Sequence, residues 1–431
     1  PPDPELPAPE ATPFALPQLP VAIELDQIAA DRIELGEELT GVAATLSVSG
    51  SLRLADGTLD TQLMAERLDK PGDQLRLTAG YANETRQISL DLTVDEASGG
   101  LIGASLDLPG RPSIQLRAQG SGPVTDFAAT IGLSTNGRER LAGEVVMAAA
   151  ALPEGAAPDT PSGLEFFADL SGNIDVLLAP VHRPFFGPGV RLNLKGTRAA
   201  DGAVALNTLS LRTSALQVTG AAALTAGGVL DTANLRAAIS PPQGQTAVTL
   251  PMPGGRTTLA AADLHLRKTA TGSWTLEGVL NQLSHPGALI DTARIDGRGT
   301  LDQSREFALE GDLSAVLSGL QPRDPALAEA TGRDIRFDGT LSTEGPGAVR
   351  ITDMDLRGSD YRATGDLHLD DLESGLNLSV DLTAEASELG RFSALAGRPL
   401  GARQLHPPVR RLRGRGRTDG SGSVRRCCPA G

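Results

Sequence analysis

Apolar and polar residues alternate along most of this chain in short runs, separated by Gly, Asp, Asn and Pro. Ile88, Leu90, Leu92 and Val94 alternate with Ser89, Asp91 and Thr93; Leu376, Leu378, Val380 and Leu382 alternate with Asn377, Ser379 and Asp381. The same phasing recurs at Leu75/Leu77, Ile114/Leu116/Ala118, Val190/Leu192/Leu194 and Leu264/Leu266. A period of two places alternate side chains on opposite faces of a strand, so these runs predict strands with one apolar and one wet face. Turns such as Ala55-Asp56-Gly57 and Thr135-Asn136-Gly137 lie between them. Only antiparallel sheets readily leave one face solvated, so an antiparallel sheet is expected from Val21 to about Ser393. Helix signals are few. Asp324-Pro325 before Ala326 to Ala330 offers an N-cap and a Pro at the first helical position, with Gly332 as the stop. Ser387 to Ala396 spaces Leu389, Phe392 and Leu395 at helical intervals.

A tighter pattern recurs within the alternation: Leu46-Val48-Gly50-Leu52, Leu216-Val218-Gly220-Ala222, Trp274-Leu276-Gly278-Leu280, Ile335-Phe337-Gly339-Leu341 and Tyr361-Ala363-Gly365-Leu367. Each glycine falls on the apolar face, where a strand that only needed a core would carry a side chain. Gly50, Gly220, Gly278, Gly339 and Gly365 are therefore candidate bends, bulges or points of close approach. The candidate apolar lining comprises Leu46, Val48, Leu75, Leu77, Ile88, Leu90, Leu92, Leu216, Val218, Trp274, Leu276, Ile335, Phe337, Leu376 and Leu378.

Two of these copies belong to a longer match at a constant offset of 145 residues. Val204, Leu206, Leu209, Leu211, Arg212, Ser214, Thr219 and Gly220 correspond to Val349, Ile351, Met354, Leu356, Arg357, Ser359, Thr364 and Gly365. Both copies switch phase at the same place, after Leu206 and after Ile351. One extra residue in an alternating strand does this, as a bulge or a tight turn would. The chain reads as a degenerate, duplicated β unit.

Composition narrows the picture. Aromatics are only 3% of 431 residues, so Leu, Val, Ile and Ala carry the burial, which suits stacked repeats. Residues 1–20 hold eight prolines and read as an extended linker. Residues 21–400 read as one continuous β region, with Pro/Gly-rich insertions near 151–163 and 240–255. Residues 401–431 break the pattern and carry eight Arg against one acid, as a disordered tail or an out-of-frame stretch would. Without that segment the chain has 30 basic and 52 acidic residues, and an acidic body argues against nucleic acid as a partner. Both cysteines, Cys427 and Cys428, lie in the tail, so the body suits an oxidising or a reducing compartment equally. No apolar run approaches the roughly 18 residues of a membrane helix, and no initiator Met or signal segment is present, so a region of a larger protein is expected.

Catalytic signatures are absent. His182, His265, His285, His368 and His406 are isolated, without metal-ligand spacing, and the acids Asp353, Asp355, Asp360, Asp366, Asp370 and Asp371 lack an EF-hand arrangement. No nucleophile elbow or phosphate-binding glycine loop occurs, so neither an enzyme, a metal nor a cofactor is expected. The physical question is coverage, because a long sheet with few helices must hide its apolar face. It can pack on a second sheet as a dry interior, close into a barrel or solenoid, or curl into a groove that receives an apolar ligand.

The stretches RIELGEELTGVAATLSVSGSLRL (32–54), LPGRPSIQLRAQGSGPVTDFAATI (108–131), RERLAGEVVMA (138–148), LAPVHRPFFGPGVRLNLKG (178–196) and ELGRFSALAGRPLG (388–401) resemble the TamB-like translocation and assembly proteins, an AsmA-like periplasmic bridge family. The resemblance implies an elongated, curled antiparallel sheet (a folded β-groove) with an apolar interior. It further implies a periplasmic protein anchored in the inner membrane through a segment not seen here. The implied partners are phospholipid acyl chains and an outer-membrane Omp85-family protein, in a role in lipid transport and outer-membrane protein assembly. The chain departs from the family in lacking an anchor helix and a recognisable C-terminal domain. A scaffold that pairs strands with unfolded barrel proteins is the alternative, and a secreted β-helix enzyme or adhesin a weaker one.

Overall fold

The computed structural model describes residues 22–150, 163–252, 256–302, 308–343, 348–370, 377–400, 410–418 and 424–426. It is mostly antiparallel β-sheet, 63% strand and 9% helix, in two compact units, Pro1–Leu230 and Asp231–Gly431. The antiparallel, helix-poor sheet expected from the alternation is what forms, and it is unclosed and curled, as the resemblance implied.

The first unit is an up-and-down run of twelve strands. They are β1 (Ile23–Leu35), β2 (Ala44–Ala55), β3 (Thr58–Arg67), β4 (Gln74–Ala82), β5 (Gln87–Glu96), β6 (Ile114–Pro123), β7 (Asp126–Thr135), β8 (Arg138–Ala149), β9 (Leu164–Gly172), β10 (Val190–Arg198), β11 (Val204–Arg212) and β12 (Leu216–Leu224). Each pairs antiparallel with the next. The predicted turns at Asp56-Gly57 and Asn136-Gly137 form with both residues at positive φ, 50° and 69° in the first, 49° and 70° in the second. That backbone matches the right-handed twist of a hairpin.

Three short helices interrupt this run: α1 (Glu37–Thr40), α2 (Leu101–Ser105) and α3 (Arg183–Phe186). They lie in the β1–β2, β5–β6 and β9–β10 connections; because successive strands alternate direction, all three sit at one end of the sheet. That end is tied by buried polar groups. The guanidinium of Arg67 bonds Asp69, Asp73 and the Ala43 carbonyl. Asp69 also accepts from Thr45 N and Asp73 from Ala97 N, so three connections share one cluster. The Arg67 hydrogen bond, with help from Thr45 N, holds the Asp69 carboxyl down at about 2. Glu96, only 5% exposed, accepts from Ile102 N and Gly103 N at the start of α2. Burying a carboxylate is tolerable when donors replace its water.

The second unit has the same grammar with more irregular joins. Its strands are β13 (Leu230–Ile239), β14 (Val248–Thr249), β15 (Thr258–Leu259), β16 (Ala261–Lys268), β17 (Ser273–His285), β18 (Ala288–Asp302), β19 (Ala308–Ser318), β20 (Gln321–Pro322), β21 (Ile335–Thr343), β22 (Val349–Arg357), β23 (Tyr361–Asp370) and β24 (Asn377–Ala386), then β25 (Arg410–Thr418) and β26 (Val424–Arg426). The ladder runs β13–β16–β17–β18–β19–β21–β22–β23–β24–β25–β26. The helix expected after Asp324 is α4 (Pro325–Thr331), capped by the Asp324 carboxylate on Ala326 N and Leu327 N. The expected 387–396 helix is shorter, a 3₁₀ turn at Leu389–Phe392 followed by α5 (Ser393–Ala396).

Two segments hold strands where no alternating run was read. The 240–255 stretch does not remain a plain loop, because β14 within it pairs with β15 just beyond it. Val248 and Leu259, at 1% and 0% exposure, are the largest fully buried apolar side chains described. Within 401–431, the two short strands β25 and β26 extend the ladder beyond β24; the remainder of that segment and the 1–20 linker lie outside the described residues, as does the 151–162 insertion.

Candidate functional site

Cross-strand register decides which side chains share a surface, and in the first unit it aligns the apolar residues into rows that cross the strands. One row runs Leu63, Leu77, Leu92, Ala118, Ile131, Gly143, Leu170, Leu192, Leu211 and Val218, from β3 to β12. A parallel row holds Ala79, Leu90, Gly120, Ala129, Val145, Ala168, Leu194, Leu209 and Gly220. At about 4.8 Å per strand the first row extends on the order of 43 Å. Its opposite face carries Gln62, Thr78, Asp91, Gln119, Thr130, Glu144, Asp169 and Asn193.

Burial along this face is uneven in a way that bears on its use. Every residue of the first row is half-buried and none is buried. Most buried residues gather toward the two ends of the strands, Ala44, Val94 and Ile114 near the helices and Ala55, Tyr81, Val124 and Phe127 at the opposite turns, with Ala129 of the parallel row the exception at 7% exposure. A second sheet packed on the face would bury the middle first, since sheet-on-sheet cores are densest there. In the second unit, Leu276, Ile295, Leu313, Phe337 and Leu356 are likewise half-buried on the apolar face, whereas Trp274, Ile335, Met354, Tyr361 and Ala363 are buried.

Of the predicted lining residues, Leu46, Val48, Leu75, Leu77, Ile88, Leu90, Leu92, Leu216 and Val218 are half-buried on the first unit's sheet, and Leu276 and Phe337 on the second's. Trp274 and Ile335 are buried at 8% and 6%. Leu376 lies outside the described residues, and for Leu378 only its place in β24 is described.

The five motif glycines divide by register. Gly50 pairs with Leu63 in the first row, whereas Gly220 pairs with Leu209 in the second, so no single line joins them. In the second unit Gly339 pairs with Leu313, which pairs with Gly297; Met354, beside Gly339, pairs with Gly365. Gly278 sits one row away, paired with Ile295. At Gly50 the constraint is a close approach: an added methyl carbon would stand 2.3 Å from the Gln62 carbonyl oxygen. Sequence spacing found the glycines. It could not say which ones align, because that depends on the register of the strands between them.

The polar face bears open clefts that the alternation did not anticipate. One, of about 640 Å³ in the second unit, is lined by Glu277, Asp296, Asp312 and Asp338 with Arg298 and Arg336. Nearby, Arg357 and Arg362 both bond the Asp355 carboxylate, which holds it far below the ordinary carboxylate range. Of the six clustered aspartates of the sequence, Asp371 lies outside the described residues; Asp355 is spent on these arginines, Asp366 accepts from Asp353 N, and Asp360 pairs with Arg391. Among the described residues no three His, Cys, Asp or Glu side chains are placed to hold a metal, and no helix is long and apolar enough to cross a membrane. His265 bonds Asn234 and the His285 ring accepts from Gly287 N, both surface roles. No family model, curated protein or solved structure matches this chain.

Proposed function

We propose that the chain is a non-enzymatic β-scaffold whose half-open apolar face receives phospholipid acyl chains, as a segment of a TamB-like periplasmic bridge serving outer-membrane biogenesis. The observation that carries this reading is the ten-strand row from Leu63 to Val218, aliphatic everywhere but at Gly143 and half-buried throughout. Fully burying a Leu side chain is worth about 1.5–3 kcal/mol, so one with at most about a third of its surface left open offers a ligand up to about 0.5–1 kcal/mol. The contacts are non-directional and repeat from strand to strand, so an acyl chain can shift along the row at little cost. The fold and this face support the lipid role; the periplasmic setting, the inner-membrane anchor and the Omp85-family partner rest on the sequence resemblance.

The test is mass spectrometry of lipids co-purifying with the full chain. Wild type is expected to carry phospholipid, and Leu77→Asp combined with Leu192→Asp to carry several-fold less while melting cooperatively. The opposite-face substitution Thr78→Asp should leave the lipid load unchanged. Equal lipid in both folded variants would overturn the groove reading.

A second reading has one observation in its favour. Among the described residues β1 pairs only with β2, and most of its residues are exposed, so its outer edge can accept a strand. Its register shifts after Leu25 and after Ala30 blunt that edge, as proteins do to discourage strand addition. Ala29→Pro should abolish partner pairing if the edge is used, and leave lipid loading intact.

A further inference from the structure

A second open cleft in the second unit, of about 400 Å³, lies at the turn joining β22 to β23. Its walls include Arg357, Arg362, Asp360 and Glu385 on the polar side and Tyr361 and Leu389 on the apolar side. Register sets the charged groups in a line: Arg357 pairs with Arg362 across β22–β23, and Arg362 with Glu385 across β23–β24. Like charges directly opposite each other are unfavourable, and here a single carboxylate, Asp355, serves both arginines. Of its five N–H donors each guanidinium gives Asp355 only Nε and Nη2, and among the described residues neither Nη1 has an acceptor. Both arginines are exposed, so these donors are open to a ligand. Of the two acids in the cleft, Asp360 pairs with Arg391, while Glu385 is exposed and makes no bond to Arg362.

Net charge decides what fits. The charges of Arg357 and Arg362 cancel those of Asp355 and Glu385, and Arg391 cancels Asp360, so the cleft does not call for a simple anion. It suits a zwitterion, with anionic oxygens across both guanidiniums and an ammonium at Glu385. Guanidinium forks match the oxygens of a phosphate. Neighbouring strands stand about 4.8 Å apart, and phosphoethanolamine, with two carbons between its phosphate oxygen and its ammonium, spans a comparable distance. Tyr361 begins the apolar phase of β23, and with Leu389 it puts an apolar wall beside the charges.

We propose that Arg357, Arg362 and Glu385 bind phosphoethanolamine, supplied as the headgroup of a phospholipid whose acyl chains lie on the apolar face; that source rests on the lipid-groove reading. The full chain is titrated by calorimetry with dihexanoyl-phosphatidylethanolamine, with dihexanoyl-phosphatidylglycerol, which keeps the phosphate and lacks the ammonium, and with free phosphoethanolamine. The ethanolamine lipid is expected to bind about fivefold tighter than the glycerol lipid, the gain from one exposed ion pair. Glu385→Gln should remove that preference, and Arg362→Gln should weaken both lipids severalfold. Both residues are exposed, so both variants should keep the wild-type denaturant midpoint. Equal binding of the two lipids, a preference unchanged by Glu385→Gln, or affinities unchanged by Arg362→Gln overturns the headgroup site and leaves the groove standing. Free phosphoethanolamine binding as tightly as its lipid assigns the site to the soluble zwitterion and overturns the lipid source. Binding of neither lipid overturns the groove reading, and binding of none of the three overturns the site as well.

Discussion

The hairpins β11–β12 and β22–β23 descend from one pattern and solve the same problem with different chemistry. In each, the first strand carries one extra residue relative to the second: pairing jumps from Leu206 to Leu209 opposite Ala222 and Gly220, and from Ile351 to Met354 opposite Leu367 and Gly365. The glycine opposite each bulge has nearly the same backbone, φ 153° at Gly220 and 154° at Gly365. Each hairpin also closes with the same turn bond, Thr213 N to the Leu216 carbonyl and Gly358 N to the Tyr361 carbonyl. The extra residue itself differs. Asp353 adopts φ 52°, its N–H donating to Asp366, while the matching Thr208 does not take positive φ, which a β-branched residue avoids. The bulge and its facing glycine are what the duplication kept; the polar groups around them were free to change.

The end anchors differ more. The β11–β12 turn is held from within: Thr213 Oγ1 donates to the Phe185 carbonyl of α3 and accepts from Leu216 N. The β22–β23 turn is held by an aromatic. The Tyr361 hydroxyl donates to the Thr331 carbonyl at the end of α4, and its ring meets Phe392 edge-on at 5.6 Å. On the polar face, Ser210 and Gln217 stand where the second copy has Asp355 and Arg362.

These contrasts can be broken in order of size. Valine at Gly220 or at Gly365 should cost about 3 kcal/mol in either unit, since each forces a β-branched residue into a backbone that essentially only glycine adopts. Denaturant midpoints of the two variants check this, and a valine tolerated at one site alone would end the equivalence. Next, Thr213→Val leaves the half-buried Leu216 N–H without its acceptor and removes the bond to the Phe185 carbonyl, and should cost about 2 kcal/mol, whereas Tyr361→Phe loses one hydrogen bond and about 1 kcal/mol. Thermal melts should rank them in that order. The smallest effect is acid sensitivity. Bonding to Arg357 and Arg362 lowers the Asp355 carboxyl below its ordinary 3.8. Its contribution is therefore present above the unfolded value and lost as pH falls below it. Amide exchange at neutral pH and at pH about 3 should show β22–β23 loosening more than β11–β12, and Asp355→Ser should abolish the difference.

Local pattern made much of this legible. The period of two in Ile88–Val94 set that strand and its faces, Asp324-Pro325 placed α4, and the phase switch after Leu206 and Ile351 located both bulges. What stayed hidden depended on partners distant in sequence. Val248 lies between prolines in a stretch that reads as loop and Leu259 just beyond it, and both become core only because β14 folds onto β15. Lys268 reads as a surface residue until its register with Trp274 and its bond to the Asp231 carbonyl are known. The same holds for Arg67, whose partners Asp69 and Asp73 are close in sequence while Ala43 is not.

By itself, then, the sequence determined which residues are apolar together, where the strands turn and where they slip by one, because those follow from side-chain alternation and turn chemistry within a few residues. Only the tertiary structure decided which strands are neighbours, which glycines share a row, and that the middle of the apolar face stays half-covered while its ends close. Those outcomes rest on register and on long-range burial, and neither is encoded in any one strand.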